Sequence, residues 1–309
     1  MSDAKRVVVT GATGLIGKAL CRRLQEHGYA VVVFSRNPNS ARKTVPGAAE
    51  YVSWHPSERG AWATAIDGAH AVINLAGASI AGHRWTEEYK RELYDSRIIG
   101  ARGLVNAIAR AETKPHVYLG PSGVNYYGAR DDTKLDESAP PGDDFLARLC
   151  VEWEHEALKA QAFGVRTVVL RTGIVLDKDE GALAQLLTPF KLFVGGPILP
   201  GTQWMSWIHL VDHVGLYMLA LEDSRLRGAI NATAPEPQRN RDFTATLGKV
   251  LHRPAIIPIP GIALKVVFGE LADTLLIHGQ RVIPAKALNL GYHFQYPTLE
   301  PALRQILGA

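Results

Sequence analysis

The stretch PSGVNYYG holds residue types that can exchange protons with a substrate. Ser122 precedes the adjacent pair Tyr126 and Tyr127, a combination typical of enzymes that move a hydride to or from a nicotinamide ring. Such enzymes usually have a lysine four residues after the tyrosine, where this chain has Arg130 and Asp131. Without that lysine, a phenol with an ordinary pKa of about 10 is a poor base at neutral pH, but it can still donate a proton. Either a tyrosine acts in this way, or both tyrosines pack with one hydroxyl in water.

A glycine-rich turn, TGATGLIG, forms a second candidate site and follows the short apolar run RVVVTG. Its glycines are Gly11, Gly14 and Gly17, and a helix-like pattern begins directly within it. A pyrophosphate needs backbone amides at a helix N-terminus with no side chain in the way. We expect Gly11 to allow the tight turn, Gly14 to admit the phosphates and Gly17 to let the helix pack on the strand. The turn therefore predicts a dinucleotide site.

The end of the second predicted strand indicates which dinucleotide binds. An enzyme that prefers NAD usually places a carboxylate there, about twenty residues beyond the turn, to bind the ribose hydroxyls. This chain has Ser35 and Arg36 instead. A guanidinium can pair with a 2′-phosphate through two hydrogen bonds, whereas a carboxylate would repel it. We therefore expect NADP(H) as the cofactor; the alternative is that Arg36 is a solvated surface arginine.

Strand-like and helix-like segments alternate through the first half of the chain, which favours βαβ units. The predicted fold class is α/β, a Rossmann-like doubly wound parallel sheet with a small C-terminal substrate lobe. We expect the NADP-binding domain to span 1–176 and to be completed by about 205–235. The smaller lobe is expected to comprise 177–204 and 236–309, where the alternation loosens.

Composition narrows the possible partners. The 309 residues include 47% hydrophobic and 21% charged residues, with a formal net charge of +4, which is ordinary for a globular protein. No run of five or six basic residues occurs, so we expect a small-molecule substrate and no nucleic acid. No apolar stretch reaches about 18 residues, so no membrane span is expected. The first predicted strand begins too early for a signal peptide, which favours a cytoplasmic protein.

No metal site is predicted. His209 and Asp212 lie close together in WIHLVD, but no third ligand stands at a usual spacing, so we expect a structural role. Cys21 and Cys150 form no C-x-x-C motif and are expected to be buried free thiols. Three tryptophans can either floor a substrate pocket or belong to the core: Trp85, Trp204 and Trp207.

With TGATGLIG, NLAG and PSGVNYYG in this order, the chain resembles the extended short-chain dehydrogenase/reductases. It resembles one atypical branch more closely, the epimerase-family proteins of short-chain dehydrogenase/reductase family 39U, some of which are described as sugar-nucleotide epimerases. The segments that carry this closer likeness run almost from end to end: SRN, SRIIGA, GDDFLARLCVEWE, RTGIVL, GGPILPGTQWMSWIHLVD and GQRVIPAKALNLGY. The resemblance implies a fold and a cofactor, and leaves the reaction open.

The resemblance also implies that the usual catalytic pair is missing. In the extended enzymes the working tyrosine lies at the start of the next helix, in a Y-x-x-x-K pattern. Phe145 and Leu149 occupy these two positions here, and neither can exchange a proton. In the parent fold the serine of this region forms a hydrogen bond to the substrate oxygen. The candidate catalytic residues are therefore Ser122, Tyr126 and Tyr127.

Arg97 departs from the extended enzymes, which have an asparagine here on the helix beneath the nicotinamide. An arginine at this position would meet a phosphate or a substrate anion. Glu92, five positions earlier, could brace Arg97 or touch the cofactor; the alternative is an ion-pair group on the helix surface. The residues expected to contact the cofactor are Gly11, Thr13, Gly14, Leu15, Ile16, Gly17, Ser35, Arg36, Leu75, Ala76, Gly77, Glu92, Arg97 and Val175.

Two functions remain open from the residues. The first is an NADP(H)-dependent oxidoreductase or epimerase-like enzyme, with the nicotinamide near Ser122 and Val175. The second is a non-catalytic NADPH-responsive binding or regulatory protein, which the loss of the tyrosine and lysine favours. The polar set around Ser122 and Arg97 favours the enzyme, since a pure sensor has no evident need for a polar cleft.

Overall fold

The structure, a computed structural model, describes residues 4–56 and 60–309. Within these residues the strands are β1 (Arg6–Thr10), β2 (Ala30–Ser35), β3 (Glu50–Ser53), β4 (Ala71–Ile73), β5 (Val117–Gly123), β6 (Lys134–Leu135), β7 (Arg166–Thr172), β8 (Ile174–Leu176), β9 (Trp204–Met205), β10 (Trp207–His209), β11 (Gly228–Ala232), β12 (Gln238–Arg239) and β13 (Arg281–Val282). The α-helices are α1 (Leu15–Glu26), α2 (Pro38–Thr44), α3 (Glu87–Arg110), α4 (Phe145–Leu158), α5 (Gly181–Lys191), α6 (Leu210–Glu222), α7 (Asn240–Leu251), α8 (Gly261–Phe268), α9 (Glu270–Ala272), α10 (Ala285–Asn289) and α11 (Leu299–Leu307).

Seven strands form the central sheet in the order β3-β2-β1-β4-β5-β7-β11. Every neighbouring pair in it is parallel, as expected when helices connect successive strands. The chain moves outward from β1 to β3 and then returns to the other side through β4. In such a sheet, ligands bind at the carboxyl ends of the strands where the order reverses, here between β1 and β4.

The sheet separates two apolar layers because successive side chains of a strand point to opposite faces. On one face, Val9 of β1 shares a buried cluster with Leu20 of α1 and Leu216 of α6. On the other face, Val8 joins Leu104 of α3 in a second cluster. The predicted doubly wound α/β fold is confirmed.

A further buried cluster joins α5, α7 and α11 outside the sheet. Leu187, Phe243 and Leu303 belong to it, together with Leu176 of β8 and Trp207 of β10. Leu176 and Trp207 come from the part of the chain that was expected to build the dinucleotide-binding domain, so the two predicted domains share this core. The exact bounds of the two domains stay a prediction. No helix in the described part of the chain is long and apolar enough to cross a membrane.

Candidate cofactor and substrate cleft

The glycine-rich turn joins β1 to α1 at the point where the strand order reverses. Gly11 has a φ of +63°, and a Cβ there would lie 2.6 Å from the carbonyl carbon of Leu75, so a side chain is excluded by both conformation and space. A Cβ on Gly17 would collide with the carbonyl oxygen of Gly11. Gly11 therefore has the conformation that the sequence predicts, whereas Gly17 lets α1 pack closely on the turn residues Gly11 and Ala12 and not on β1 itself.

Gly14 differs because the space beside it is open. A Cβ there would meet Gly11 O at 3.5 Å and no other described atom within 4 Å. Gly14 is the N-cap residue of α1, and it lends no side chain to the first amides of the helix. Helix N-termini with free amides and a positive dipole end attract phosphate groups. The turn therefore fits the pyrophosphate of a dinucleotide.

A buried pair of polar side chains holds the loop after β4 against this turn. Thr10 Oγ1 donates to Asn74 Oδ1 at 2.6 Å, and the same Oγ1 accepts the amide of Leu75 at 3.1 Å. The amide of Ala76 donates to Asn74 Oδ1 at 3.1 Å. Thr10 and Asn74 were not predicted as site residues, although a polar residue at the end of an apolar strand is a usable signal.

Ser35 and Arg36 lie at the carboxyl end of β2, on the same edge of the sheet. The Ser35 hydroxyl binds the backbone of Asn37 at 3.2 Å, and Asn37 in turn caps α2 by accepting the amide of Ser40 at 3.0 Å. Arg36 is exposed, and no hydrogen bond or ion pair to its side chain forms within residues 4–56 and 60–309. Its guanidinium is therefore available for a ligand phosphate.

A cleft of about 380 Å³ opens between the glycine turn, the ends of β5 and β7, and the helices α3 and α4. We call it the cofactor cleft. Its lining residues are Gly11, Gly14, Leu15, Ile16, Gly17, Leu75, Ile80, Arg97, Pro121, Ser122, Gly123, Asn125, Leu146, Leu149, Cys150, Trp153, Thr172, Gly173 and Tyr217.

Several predicted cofactor contacts surround this cleft without lining it. Thr13 and Gly77 are exposed, and Ala76 is half-buried. Val175 lies on β8, where it packs with Leu75 against the core beneath the sheet edge. Their contacts with a cofactor stay predictions.

Ser122 is anchored from below by a buried ion pair. Its hydroxyl donates to Glu154 Oε1 at 2.7 Å. Arg171 grips the same carboxylate with two hydrogen bonds, Nε to Oε1 at 2.8 Å and Nη2 to Oε2 at 2.9 Å. All three side chains are buried, at 4–6% exposure. Because the serine proton is donated to Glu154, the lone pairs of Ser122 Oγ remain for a group in the cleft.

The structure places Tyr127 in the core and not in the cleft, which corrects the expectation that it acts as a proton donor to substrate. Tyr127 is fully buried; its hydroxyl donates to Asn231 Oδ1 at 2.7 Å and accepts from Arg171 Nη1 at 3.0 Å. Burial raises the pKa of Tyr127 to about 12, against the opposing effect of Arg171. Its hydroxyl group is therefore engaged with Asn231 and Arg171.

Tyr126 is half-buried, and its ring lies against the same arginine, with the guanidinium carbon of Arg171 3.4 Å from the ring centroid. Its ring meets that of Tyr127 edge-on at 5.3 Å. Stacking on a guanidinium is an ordinary aromatic packing role. The alternative that the sequence left open, two packing tyrosines, therefore describes this geometry better than the catalytic one.

Arg97 is buried in the cleft wall, at 5% exposure. Its guanidinium donates to Leu93 O at 3.0 Å and to Ala78 O at 2.9 Å, and lies 5.0 Å from the Trp153 ring. Burial lowers the pKa of Arg97. Glu92 is exposed, and within the described residues it forms no ion pair with Arg97, so the predicted brace is wrong: backbone carbonyls hold this arginine.

A buried guanidinium without a described carboxylate partner is costly unless an anion offsets its charge. Arg97 lines the cleft, so the anion has room to approach. The arrangement fits an anionic group of the cofactor or of the substrate.

The wall formed by α4 is largely apolar. Leu146 and Leu149 line the cleft, whereas Phe145 turns away and meets the Trp85 ring edge-on at 5.5 Å. Cys150 also lines the cleft, and burial raises the pKa of its thiol to about 11. Leu146, Leu149 and Cys150 therefore supply packing and no proton donor that works near neutral pH.

His213 is another titratable group below the cleft. One ring nitrogen, Nε2, lies 3.0 Å from Thr172 Oγ1, and Nδ1 is buried without a described partner. Burial lowers the pKa of His213 to about 3. The ring is therefore neutral at physiological pH, so it cannot donate a proton as an imidazolium.

His209 and Asp212 have the structural role that was expected. His209 Nε2 lies 2.8 Å from Gln305 Oε1, and the Asp212 carboxylate accepts the amides of Gln295 and Tyr296 at 2.7 and 2.9 Å. Both residues tie the C-terminal segment to α6. Among the described residues, no group of three or more His, Cys, Asp or Glu side chains is placed to hold a metal ion.

Two of the three tryptophans considered for the substrate pocket, and both cysteines, are buried in the core. Trp85 and Trp207 are buried in core clusters, and Trp204 is half-buried, 4.3 Å from the guanidinium of Arg239. The tryptophan that lines the cleft is Trp153, which the sequence analysis did not name. Both cysteines are free and buried, as expected.

A parallel sheet with a glycine turn at its reversal point defines a dinucleotide-binding protein. The chain belongs to the NAD dependent epimerase/dehydratase family, whose sequence model matches residues 7–232. Residues 259–306 match a domain of unknown function, DUF1731.

The relatives agree with this family over nearly the whole chain. The epimerase family protein SDR39U1 homolog, chloroplastic, of Arabidopsis thaliana is 42% identical over 97% of this chain and 86% of its own length. The Homo sapiens epimerase family protein SDR39U1 is 36% identical over 98% of this chain and 100% of its own length. A crystal structure of the human SDR39U1 (isoform2) with NADPH superposes with a TM-score of 0.87 at 35% identity, covering 98% of this chain and 99% of that one. The resemblance to family 39U is confirmed.

Proposed function

We propose that this protein is an NADP(H)-dependent oxidoreductase or epimerase-like enzyme that works without a tyrosine–lysine pair. The observation that carries the proposal is the buried chain Ser122–Glu154–Arg171, which ends in a serine oxygen on the floor of the cofactor cleft. A protein that only binds a dinucleotide has no need to bury an ion pair in order to orient one hydroxyl group.

NADP(H) is the preferred cofactor in this proposal. The human relative was crystallised with NADPH, and the edge of the sheet carries a free guanidinium at Arg36 where NAD enzymes place a carboxylate. The residues that would hold the cofactor are the glycine turn for the pyrophosphate and Arg36 for the 2′-phosphate. When bound, the nicotinamide supplies or accepts a hydride.

Ser122 then positions the reacting oxygen of the substrate. Its lone pairs face the cleft, so it accepts a hydrogen bond from a substrate hydroxyl. When that hydroxyl is oxidised, its proton can pass to Ser122 Oγ while the serine proton passes to Glu154 Oε1, 2.7 Å away. Reduction of the carbonyl reverses the same two transfers.

Arg97 provides a second point of recognition. Its buried charge is held by two carbonyls and lines the cleft beside the apolar side chains of α4. A substrate that carries a hydroxyl near an anionic group would satisfy Ser122 and Arg97 together.

A turnover assay tests the proposal. Purified protein is mixed with NADPH, or with NADP for the oxidative direction, and fractions of a cell-metabolite extract, while the absorbance of the reduced nicotinamide is followed. We expect one or more fractions to change the signal with the native protein and not with Ser122→Ala, whereas Ser138→Ala on the surface keeps full activity. An epimerase returns its hydride, so inactive fractions are also analysed for new sugar stereoisomers. No turnover of either kind, with tight NADPH binding, would refute the enzyme.

The second candidate is a non-catalytic NADPH-responsive protein. The apolar face of α4, with Leu146 and Leu149 in the cleft, favours it, because this is the wall that supplies the proton donor in the extended enzymes. It predicts NADPH binding that is unchanged in Ser122→Ala and no turnover in any fraction.

A further inference from the structure

A second pocket, of about 470 Å³, lies at the amino-terminal edge of the central sheet, opposite the cofactor cleft. We call it the amino-edge pocket and define it by Lys5, His70, His116, Arg166 and Arg227, which all line it. The proposed function assigns no role to the residues at this edge of the sheet.

The topology of the sheet brings these five side chains into one row. Lys5 directly precedes β1, His70 precedes β4, His116 precedes β5 and Arg227 precedes β11, while Arg166 is the first residue of β7. These five strands are consecutive neighbours in the order β1-β4-β5-β7-β11. Adjacent strands lie about 4.8 Å apart, so the row extends over roughly 20 Å.

Arg166, the fourth group of the row, is held in a fixed position. Its guanidinium donates to the carbonyls of Ala220, Leu221 and Leu226 at 2.7, 2.9 and 3.1 Å. These bonds cap the carboxyl end of α6, which is an ordinary structural use of an arginine. The capping accounts for the position of Arg166. Its guanidinium forms no ion pair within residues 4–56 and 60–309, although the charge of Asp223 acts on it from nearby.

The other four side chains have no such hydrogen bonds, although the His70 ring stacks on Tyr29 at 6.1 Å. Within residues 4–56 and 60–309, no hydrogen bond or ion pair forms to the side chains of Lys5, His70, His116 or Arg227. The imidazole rings of His70 and His116 lie 5.1 Å apart. Lys5, His116 and Arg227 are exposed and His70 is half-buried, so their donors face the pocket opening, where an anion with several oxygens can bridge them.

The charge of the pocket is positive. Glu222 is its lining carboxylate, and it is already approached by Tyr29 Oη at 3.4 Å and by His27 Nδ1 at 3.9 Å. Burial, followed by the neighbouring Lys5, His116 and Arg166, lowers the pKa of His70. An anion placed between these groups would relieve their mutual repulsion.

We propose that the amino-edge pocket binds a small phosphate-bearing molecule with two or more negative charges. The row of cationic and imidazole groups favours a polyphosphate or a doubly phosphorylated metabolite over a single carboxylate, which could reach only one or two of the donors. The pocket volume is in the range of small-molecule sites. This site is separate from the cofactor cleft and does not depend on the proposed enzyme activity.

Titration with sodium tripolyphosphate, followed by the imidazole NMR signals of His70 and His116, tests the proposal at that site alone. The two signals are assigned with His70→Asn and His116→Asn. We expect saturable shifts of both signals at constant ionic strength. The double variant Lys5→Ala/Arg227→Ala should bind roughly thirtyfold more weakly, as expected when two charge contacts of about 1 kcal/mol each are lost.

The charge-matched control is Arg22→Ala/Lys43→Ala, which removes two exposed positive charges outside the pocket. It should keep the native affinity. Equal weakening in both double variants, or shifts reproduced by sodium chloride at the same ionic strength, would show only general charge screening and overturn the proposal. Saturation that depends on Lys5 and Arg227 supports it even if the protein turns over no substrate.

Discussion

Substitution of Arg36 by alanine is the sharpest test of the cofactor assignment. The side chain is exposed and has no described intramolecular partner, so its removal leaves no buried group unsatisfied and should not change the free energy of unfolding by more than about 0.5 kcal/mol. Any loss of affinity can then be attributed to the ligand. We expect Arg36→Ala to weaken NADPH binding and to leave NADH binding nearly unchanged.

The size of the loss follows from the exposure of Arg36. In water-like surroundings two unit charges at about 4 Å attract by about 1 kcal/mol, and a 2′-phosphate carries close to two charges, which makes about 2 kcal/mol. This free energy corresponds to roughly a thirtyfold loss of NADPH affinity. Because the pair is exposed, salt near 1 M should erase most of the difference.

Binding is measured by the fluorescence of the reduced nicotinamide, with NADPH and NADH titrated into the native protein and the variant. Lys43→Ala, on the neighbouring α2, controls for net charge and should bind both cofactors like the native protein. Equal losses of NADPH and NADH affinity in Arg36→Ala would refute the assignment of the 2′-phosphate to this arginine. An unchanged NADPH affinity would refute it as well.

Three further predictions concern stability. Gly17→Ala should lower the free energy of unfolding by about 1–3 kcal/mol, since its Cβ collides with the turn backbone. Gly14→Ala should lower it by about 1 kcal/mol or less and should weaken NADPH binding. Thermal unfolding and NADPH titration distinguish the two variants, and a larger loss of stability in Gly14→Ala than in Gly17→Ala would contradict the assigned roles. Tyr127→Phe should cost about 1–3 kcal/mol in chemical denaturation, because two buried hydrogen bonds are lost, and should leave NADPH affinity unchanged; a selective loss of turnover would contradict the packing role. Burial lowers the pKa of His213 from its usual 6.5 to about 3 in the folded protein, so the unfolded chain binds this proton at a higher pH than the folded chain does. The free energy of unfolding should therefore be highest above pH 6.5 and fall as the pH drops toward 3, by about 2–3 kcal/mol at pH 4.5. The free energy of unfolding of His213→Gln should fall less between pH 7.5 and 4.5 than that of the native protein. An equal fall in both proteins would show that His213 is not its cause.

The turn residues were predictable because their constraints are local. Gly11 needs a positive φ, and Gly17 must approach the backbone of the turn that precedes α1, so their spacing within seven residues carries the information. The position of Arg36 was readable for the same reason, since it lies at the end of the second predicted strand. Alternating apolar segments were likewise sufficient for the doubly wound fold.

The roles of the two tyrosines could not be predicted from neighbouring residues alone. Tyr126 and Tyr127 are neighbours of Ser122 in sequence, and this proximity suggested a shared catalytic role. In the folded chain Tyr127 binds Asn231, 104 positions away, and the serine is oriented by a carboxylate 32 positions away. These contacts depend on the pairing of β5, β7 and β11 and on the packing of α4 against β5, which no local spacing encodes.

The amino-acid sequence was sufficient to predict a parallel α/β sheet, a glycine turn between β1 and α1, and an arginine in place of a carboxylate at the end of β2, because each depends on residues close together in the chain. The folded chain was needed to show that Glu154 and Arg171 support Ser122, that Arg97 is buried, and that five basic or imidazole side chains share one edge of the sheet. A parallel sheet gathers the ends of strands that are far apart in sequence, so groups that meet at those ends become visible only once the strand order is known.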